Sequence, residues 1–416
     1  MRRTILSVLL GAILMTLLNG CGRTEPSRFV HTTWAPLEGN SFRVNSPDTA
    51  GGRYADRWEA KAGGLLALNA PADLAGVRQA ELYLELWGGH PGTANKRFSL
   101  NGRQEVLLPE VGAADHHCTY SYPTVPLDLN ALSSGPNALQ FTCDLGEKNF
   151  WGHYLLRAAA LRLTLEPGHP AVADAGLDGF AATVTAAAAD GDTIRLGLDV
   201  DPQWRGRIAR VDYHARYDGY DDNGNGLTDD WHGYTKGRLP QAIAATADAA
   251  PFEAAWNLSM IPDQPAVQVR AVVHFADAEA LTYETAPVEV ALPRRAARVS
   301  LHGVTTMDRP FWSRANRPRT ATIHLPADPA TIERAQLHVL IWDGGDGGTA
   351  DHFTVNGHAI PIAGDGHHDV LYRVIDVDPA ILRLGANELR LLSATEHHGI
   401  EVILPGPALA IRRPAR

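Results

Sequence analysis

The stretch Trp342-Asp343-Gly344-Gly345-Asp346, with Asp351 following, sets an indole beside three carboxylates. That combination suits a sugar, because a flat ring packs on the apolar face of a pyranose while carboxylates accept from its hydroxyls. Trp87 and His90 occupy a similar setting in the N-terminal third. Trp87, His90, Trp342, Asp343, Asp346 and Asp351 are therefore the candidate ligand contacts. A tryptophan closing a strand also serves as a core plug, and that reading stands beside the first. A second cluster runs from Asp218 to Asp230. Asp221, Asn223, Asn225, the Leu227 carbonyl and Asp229 fall at the first, third, fifth, seventh and ninth positions of an oxygen-rich loop with Gly226 at the sixth, a spacing that suits a structural calcium ion. His232 holds the twelfth position, so an ion here borrows an oxygen from Asp218, Asp230 or water. The same residues also form tight turns without metal.

No Gly-x-Ser-x-Gly elbow, His-Glu-x-x-His helix, phosphate-cradling loop or Cys-x-x-Cys is present, which disfavours α/β-hydrolase, zincin, nucleotide-dependent and dithiol chemistry. Glycosidases with paired carboxylates and lyases with a His/Tyr pair leave no short signature, since their groups meet only in the fold. The paired histidines His116-His117, His367-His368 and His397-His398 point to opposite faces if extended, which makes each pair a poor metal site.

The elements that carry these residues read as strands. Ala80-Glu81-Leu82-Tyr83-Leu84-Glu85-Leu86-Trp87 alternates with period two, and turn residues interrupt such runs at short intervals. The same run returns 255 positions later as Ala335 to Trp342, and Phe98-Ser99-Leu100-Asn101-Gly102 returns as Phe353-Thr354-Val355-Asn356-Gly357. Gly135-Pro136-Asn137-Ala138-Leu139 likewise matches Gly385-Ala386-Asn387-Glu388-Leu389. The two ends of the chain are thus copies of one module. This order of a Trp-ended strand, an Asn-Gly turn and a Gly-x-Asn-x-Leu segment resembles the galactose-binding-like jelly roll. The resemblance implies a sandwich of the kind often appended to glycan-active enzymes, some members binding carbohydrate and others acting as spacers. The segment between the copies resembles immunoglobulin-like or fibronectin-like modules, and its Asp/Asn/Gly loop resembles those of EF-hands and dockerins. The expected architecture is all-β, with three tandem β-sandwich domains: a jelly roll over 30–166, an Ig/FnIII-like module over 167–295, and a homologous jelly roll over 296–416.

The chain opens with Met1-Arg2-Arg3, an apolar run from Ile5 to Leu18, and Leu18-Asn19-Gly20-Cys21. The run is too short for a stable span and reads as a secretory signal over 1–20. Its end resembles a bacterial lipobox, which implies lipidation of Cys21, a tether over 21–29 and a membrane-anchored protein, with Gly22 leaning toward the outer membrane. In such an oxidising compartment Cys118 and Cys143 can pair. Their counterparts in the second copy are Asp369 and Ser393, both lost together, as one disulfide would require; two buried thiols are the alternative. The formal net charge of −10, without clustered Lys and Arg, disfavours nucleic acid. The expected function is a lipoprotein that binds glycan or acts as a non-catalytic cell-surface interaction module. The alternatives are a glycan-degrading hydrolase or lyase with its site on a jelly-roll rim, and a structural envelope scaffold.

Overall fold

The computed structural model describes residues 25–415 except 36, 38–41, 49–62, 91, 112–118, 146–151, 188–189, 233–243, 293, 295, 364–365, 367 and 397–398. The architecture is all-β. Among the described residues, no helix is long and apolar enough to cross a membrane.

The repeated motifs are turn devices, and the structure shows their common chemistry. Asn101 and Asn356 both adopt φ of 51°, each followed by a glycine with positive φ, the backbone of a tight primed turn; two residues link the paired strands in the second copy and three in the first. The Asn101 amide donates to Ala131 O and Asn137 Oδ1, both at 2.8 Å, while Asn356 donates to Ile381 O and Asn387 Oδ1, both at 2.8 Å. Asn137 and Asn387 are almost completely buried and hold the chain before their own strands, through Ser133 in one copy and Arg383 in the other. Each Asn pair therefore ties one hairpin to the next connection.

The period-two pattern sorts side chains between faces as expected. Leu82, Leu84 and Leu86 point into the first core, Leu337, Val339 and Ile341 into the second-copy core, and all six are at most 1% exposed. The connection between modules is less expected. Strand Arg28–Trp34 pairs on one side with His153–Leu165 of its own copy and on the other with Leu281–Glu284 of the middle segment. One twelve-stranded sheet consequently runs through both, and their buried residues form one continuous core. The second copy packs onto this body through the outward faces of corresponding strands. Tyr83, Tyr120, Tyr122 and Ala160 of the first copy meet Leu340, Val370, Tyr372 and Ala408 of the second around Tyr220 of the middle segment.

Tyr220 is the wedge of this three-way junction. Its ring stacks on Tyr372 at 5.5 Å and 6°. Its hydroxyl donates to Gly406 O at 2.9 Å and accepts from Leu340 N at 3.0 Å. Tyr220→Phe is expected to leave that buried carbonyl and amide unpaired, lowering stability by about 1–3 kcal/mol, to be read from the shift in melting temperature. An unchanged melting temperature would show that the junction does not depend on this hydroxyl.

Candidate functional site

The decisive geometry lies at the end of the strand Arg334–Asp343. Trp342 is the register partner of Glu401 in strand Ile400–Val402, and Glu401 is bridged on its other edge to Trp312. Directly opposed residues share a face. The flanking residues Ile341, Ile400, Val402 and Phe311 all belong to the inner core, so Trp342, Glu401 and Trp312 form a row across the outer face. All three are partly exposed. Arg314 approaches Glu401 at 3.5 Å and lies over the Trp312 ring at 5.6 Å, while His368 stacks on Trp342 at 5.1 Å and 6°. Burial pushes the Glu401 carboxyl above its ordinary range, with Arg314 opposing, although 22% of that side chain remains exposed. The row thus sets two partly exposed indoles about a carboxylate, with His368 and Arg314 each over one of the rings and Trp342 also packed against the cluster that joins the copies.

The first copy supplies an internal comparison. Its corresponding row is Tyr120, Trp87, Leu155 and Arg43. An aliphatic residue stands where the second copy has Glu401, and an arginine where it has Trp312. The sandwich therefore requires neither group for folding, and the Trp-Glu-Trp arrangement is a property of the second copy. Trp87 instead gathers imidazoles: His90 at 5.1 Å and His153 at 5.4 Å between ring centres, with the two histidines 5.6 Å apart. Burial and the Arg43 charge lower the His90 pKa, favouring the neutral ring.

The other sequence candidates have distinct placements. Asp343 is 1% exposed, and its carboxylate accepts from Gly345 N at 2.9 Å and Gly366 N at 3.4 Å, so it shapes the loop beside Trp342 from the opposite face. Asp346 is exposed and accepts from Gly348 N, and Asp351 is exposed at the foot of the next strand. Cys143 is fully buried, and burial pushes its thiol up to about 12; Cys118, Cys21, His116, His117, Trp151, His367, His397 and His398 lie outside the described residues.

The Asp/Asn/Gly loop docks into the junction. Asn223 O accepts from Tyr122 N at 3.1 Å, and a Cβ on Gly224 would stand 2.3 Å from Tyr120 O. Asp221 accepts from the amides of Asn225 and Gly226, Asn225 Oδ1 accepts from Leu227 N, and the side-chain amides of Asn223 and Asn225 donate to Asp230. Asp229 points outward to Arg216 at 3.5 Å. Among the described residues, no group of three or more His, Cys, Asp or Glu is placed to hold a metal. Burial raises the Asp221 carboxyl to about 6 from an ordinary 3.8. The folded state holds this proton more tightly than the unfolded chain, so stability falls as pH rises from about 4 to 6, by on the order of 3 kcal/mol in total. Asp221→Asn is expected to remove that slope, its melting temperature gaining on the wild type as pH rises; a constant offset would contradict this.

Beside this loop, a cleft of about 740 Å³ separates the middle segment from the second copy, with Asp218, Asp221 and Asp263 facing Arg298 and Arg413. Both Asp221 oxygens accept from its own loop, which makes it a loop organiser within that cleft.

No protein-family model matches the chain, and none of the curated proteins matches it. Among solved structures, it is similar to a β-porphyranase of glycoside hydrolase family 86 from the human gut bacterium Bacteroides plebeius: 12% identity, 56% of this chain and 36% of that chain covered, TM-score 0.24. A second family 86 protein, in complex with neoagarooctaose, is 11% identical, with 56% and 34% covered and a TM-score of 0.25. An FMN-binding β-glucuronidase from Facaelibacterium prausnitzii L2-6 is 10% identical, with 69% and 41% covered and a TM-score of 0.19. The chain spans about a third of the length of the two family 86 proteins. Likeness at these scores assigns this chain neither substrate nor activity.

Sequence reasoning singles out Trp342 as a candidate but not Glu401, Trp312 or Arg314, which the fold sets beside it. They lie far from Trp342 in the chain and meet it only through strand register, so no local spacing could have linked them.

Proposed function

We infer that the protein is an exported lipoprotein, anchored through Cys21, that binds glycan through the second copy without cutting it. The observation that carries this reading is the Trp342–Glu401–Trp312 row, with a hydroxyl acceptor and a second indole that the first copy lacks. Asp346 and Asp351 are exposed in the loop that follows Trp342 and are available to extend the contact. Calcium at Asp221, Asn223, Asn225, Leu227 and Asp229 is a subordinate proposal: an ion would hold the buried Asp221 ionised and brace the junction. It is tested by melting the protein at neutral pH with calcium and with chelator, an increase with calcium supporting it and an unchanged transition opposing it.

The test of the main reading is a screen of the full-length protein in detergent against polysaccharides and glycan arrays, with chromatography of each bound polymer. Retention of an uncut polymer is the expected result. Shortened products would promote the hydrolase or lyase alternative, and no retention would favour the structural scaffold. Palmitate labelling that disappears in Cys21→Ser tests the anchor separately.

A further inference from the structure

The row also limits the shape and charge of its ligand. Adjacent strands in a sheet lie about 4.8 Å apart, so Trp342 and Trp312, one strand to either side of Glu401, stand roughly 10 Å apart on the same face. That is the order of length of a disaccharide and exceeds a single ring. Two indoles at this separation stack on alternate sugars of an extended chain, and the intervening sugar falls over Glu401.

Charge narrows the class further. Arg314 is already paired with Glu401 at 3.5 Å, His368 lies flat against Trp342, and the whole chain carries a net charge of −10. A uronate or sulfated sugar would meet a carboxylate at the centre of the row, whereas a neutral sugar donates its hydroxyls to it.

We propose that the second copy binds a short run of an extended, neutral polysaccharide, laying alternate pyranoses on Trp342 and Trp312 with the sugar between them donating to Glu401. This deepens the glycan-binding reading and rests on it.

The test is titration calorimetry of the full-length protein in detergent with β-1,4-linked gluco-, manno- and galacto-oligosaccharides of one, two, four and six residues, and with oligogalacturonides of the same lengths. Affinity for at least one neutral series should rise tenfold or more between the monosaccharide and the tetrasaccharide and exceed that for the uronates. Trp312→Ala should abolish the rise with length while largely sparing the shortest ligand that binds. Trp312→Tyr, which retains a ring, should restore much of the rise, separating stacking from a folding defect. Affinity independent of length, or a preference for the uronates, would overturn this inference while glycan binding stood. If no sugar of any series bound, the glycan-binding reading would fall, and this inference with it.

Discussion

Trp342→Ala is expected to weaken binding of the preferred glycan about 10- to 100-fold, equivalent to roughly 1–3 kcal/mol, because it removes one of the two stacking faces of the contact. The loss should appear mainly as faster dissociation; because Trp342 packs against the buried cluster that joins the copies, the melting temperature should fall as well, and binding is compared where the variant is still folded. Glu401→Gln should cost less, because an amide retains one hydroxyl acceptor. Binding energy concentrates in a few anchoring side chains, so Trp87→Ala should alter affinity less than about threefold. In its row, Leu155 and Arg43 replace the carboxylate and the second indole. Titration of the three variants against one ligand checks the order; equal losses for Trp87→Ala and Trp342→Ala would mean that both copies bind.

Glu284→Ala carries the largest expected cost in stability. Glu284 is 3% exposed where the sheet passes from the first copy into the middle segment. It accepts from Arg28 at 2.7 Å and Arg162 at 2.8 Å and lies 3.2 Å from Arg270. These guanidiniums hold its carboxyl well below the ordinary carboxylate range despite burial, which acts the other way. Removing it leaves three poorly solvated cations facing one another, and a loss of about 3–5 kcal/mol follows. The pH dependence has a definite sign. A depressed carboxyl stabilises the fold fully above its ordinary value of 4.5, and the contribution disappears as pH falls toward the folded value. Wild type and variant should therefore differ most near neutrality and converge in acid. Melting curves from pH 3 to 7 read this directly; a difference below about 1 kcal/mol at pH 7 would show that the arginines find other partners.

These two sites differ in how far sequence could anticipate them. Period-two alternation and the repeated Asn-Gly and Gly-x-Asn turns were legible because each is a local device: Asn101 and Asn356 make the same bonds at the same backbone angles. Trp342 was legible as an indole beside acids, yet its neighbour Asp343 necessarily points to the opposite face of an extended strand, and its carboxylate organises the loop. Glu401 and Trp312 join Trp342 only through hydrogen-bonded register. The Asp218–Asp230 loop showed its turn chemistry in sequence, but its place against Tyr120 and Tyr122 depends on long-range packing. The ion cluster at Glu284 was hidden for the same reason, since Arg28 and Glu284 stand at opposite ends of the first two modules.

The most direct test of the central claim is a pull-down of the full-length protein on the retained polysaccharide, comparing wild type with a Trp312→Ala/Trp342→Ala double variant whose folding has been verified by its melting transition. Retention of the wild type and loss of the folded double variant would support glycan binding through the second-copy row. Equal retention of both would place any binding elsewhere on the molecule and contradict the account.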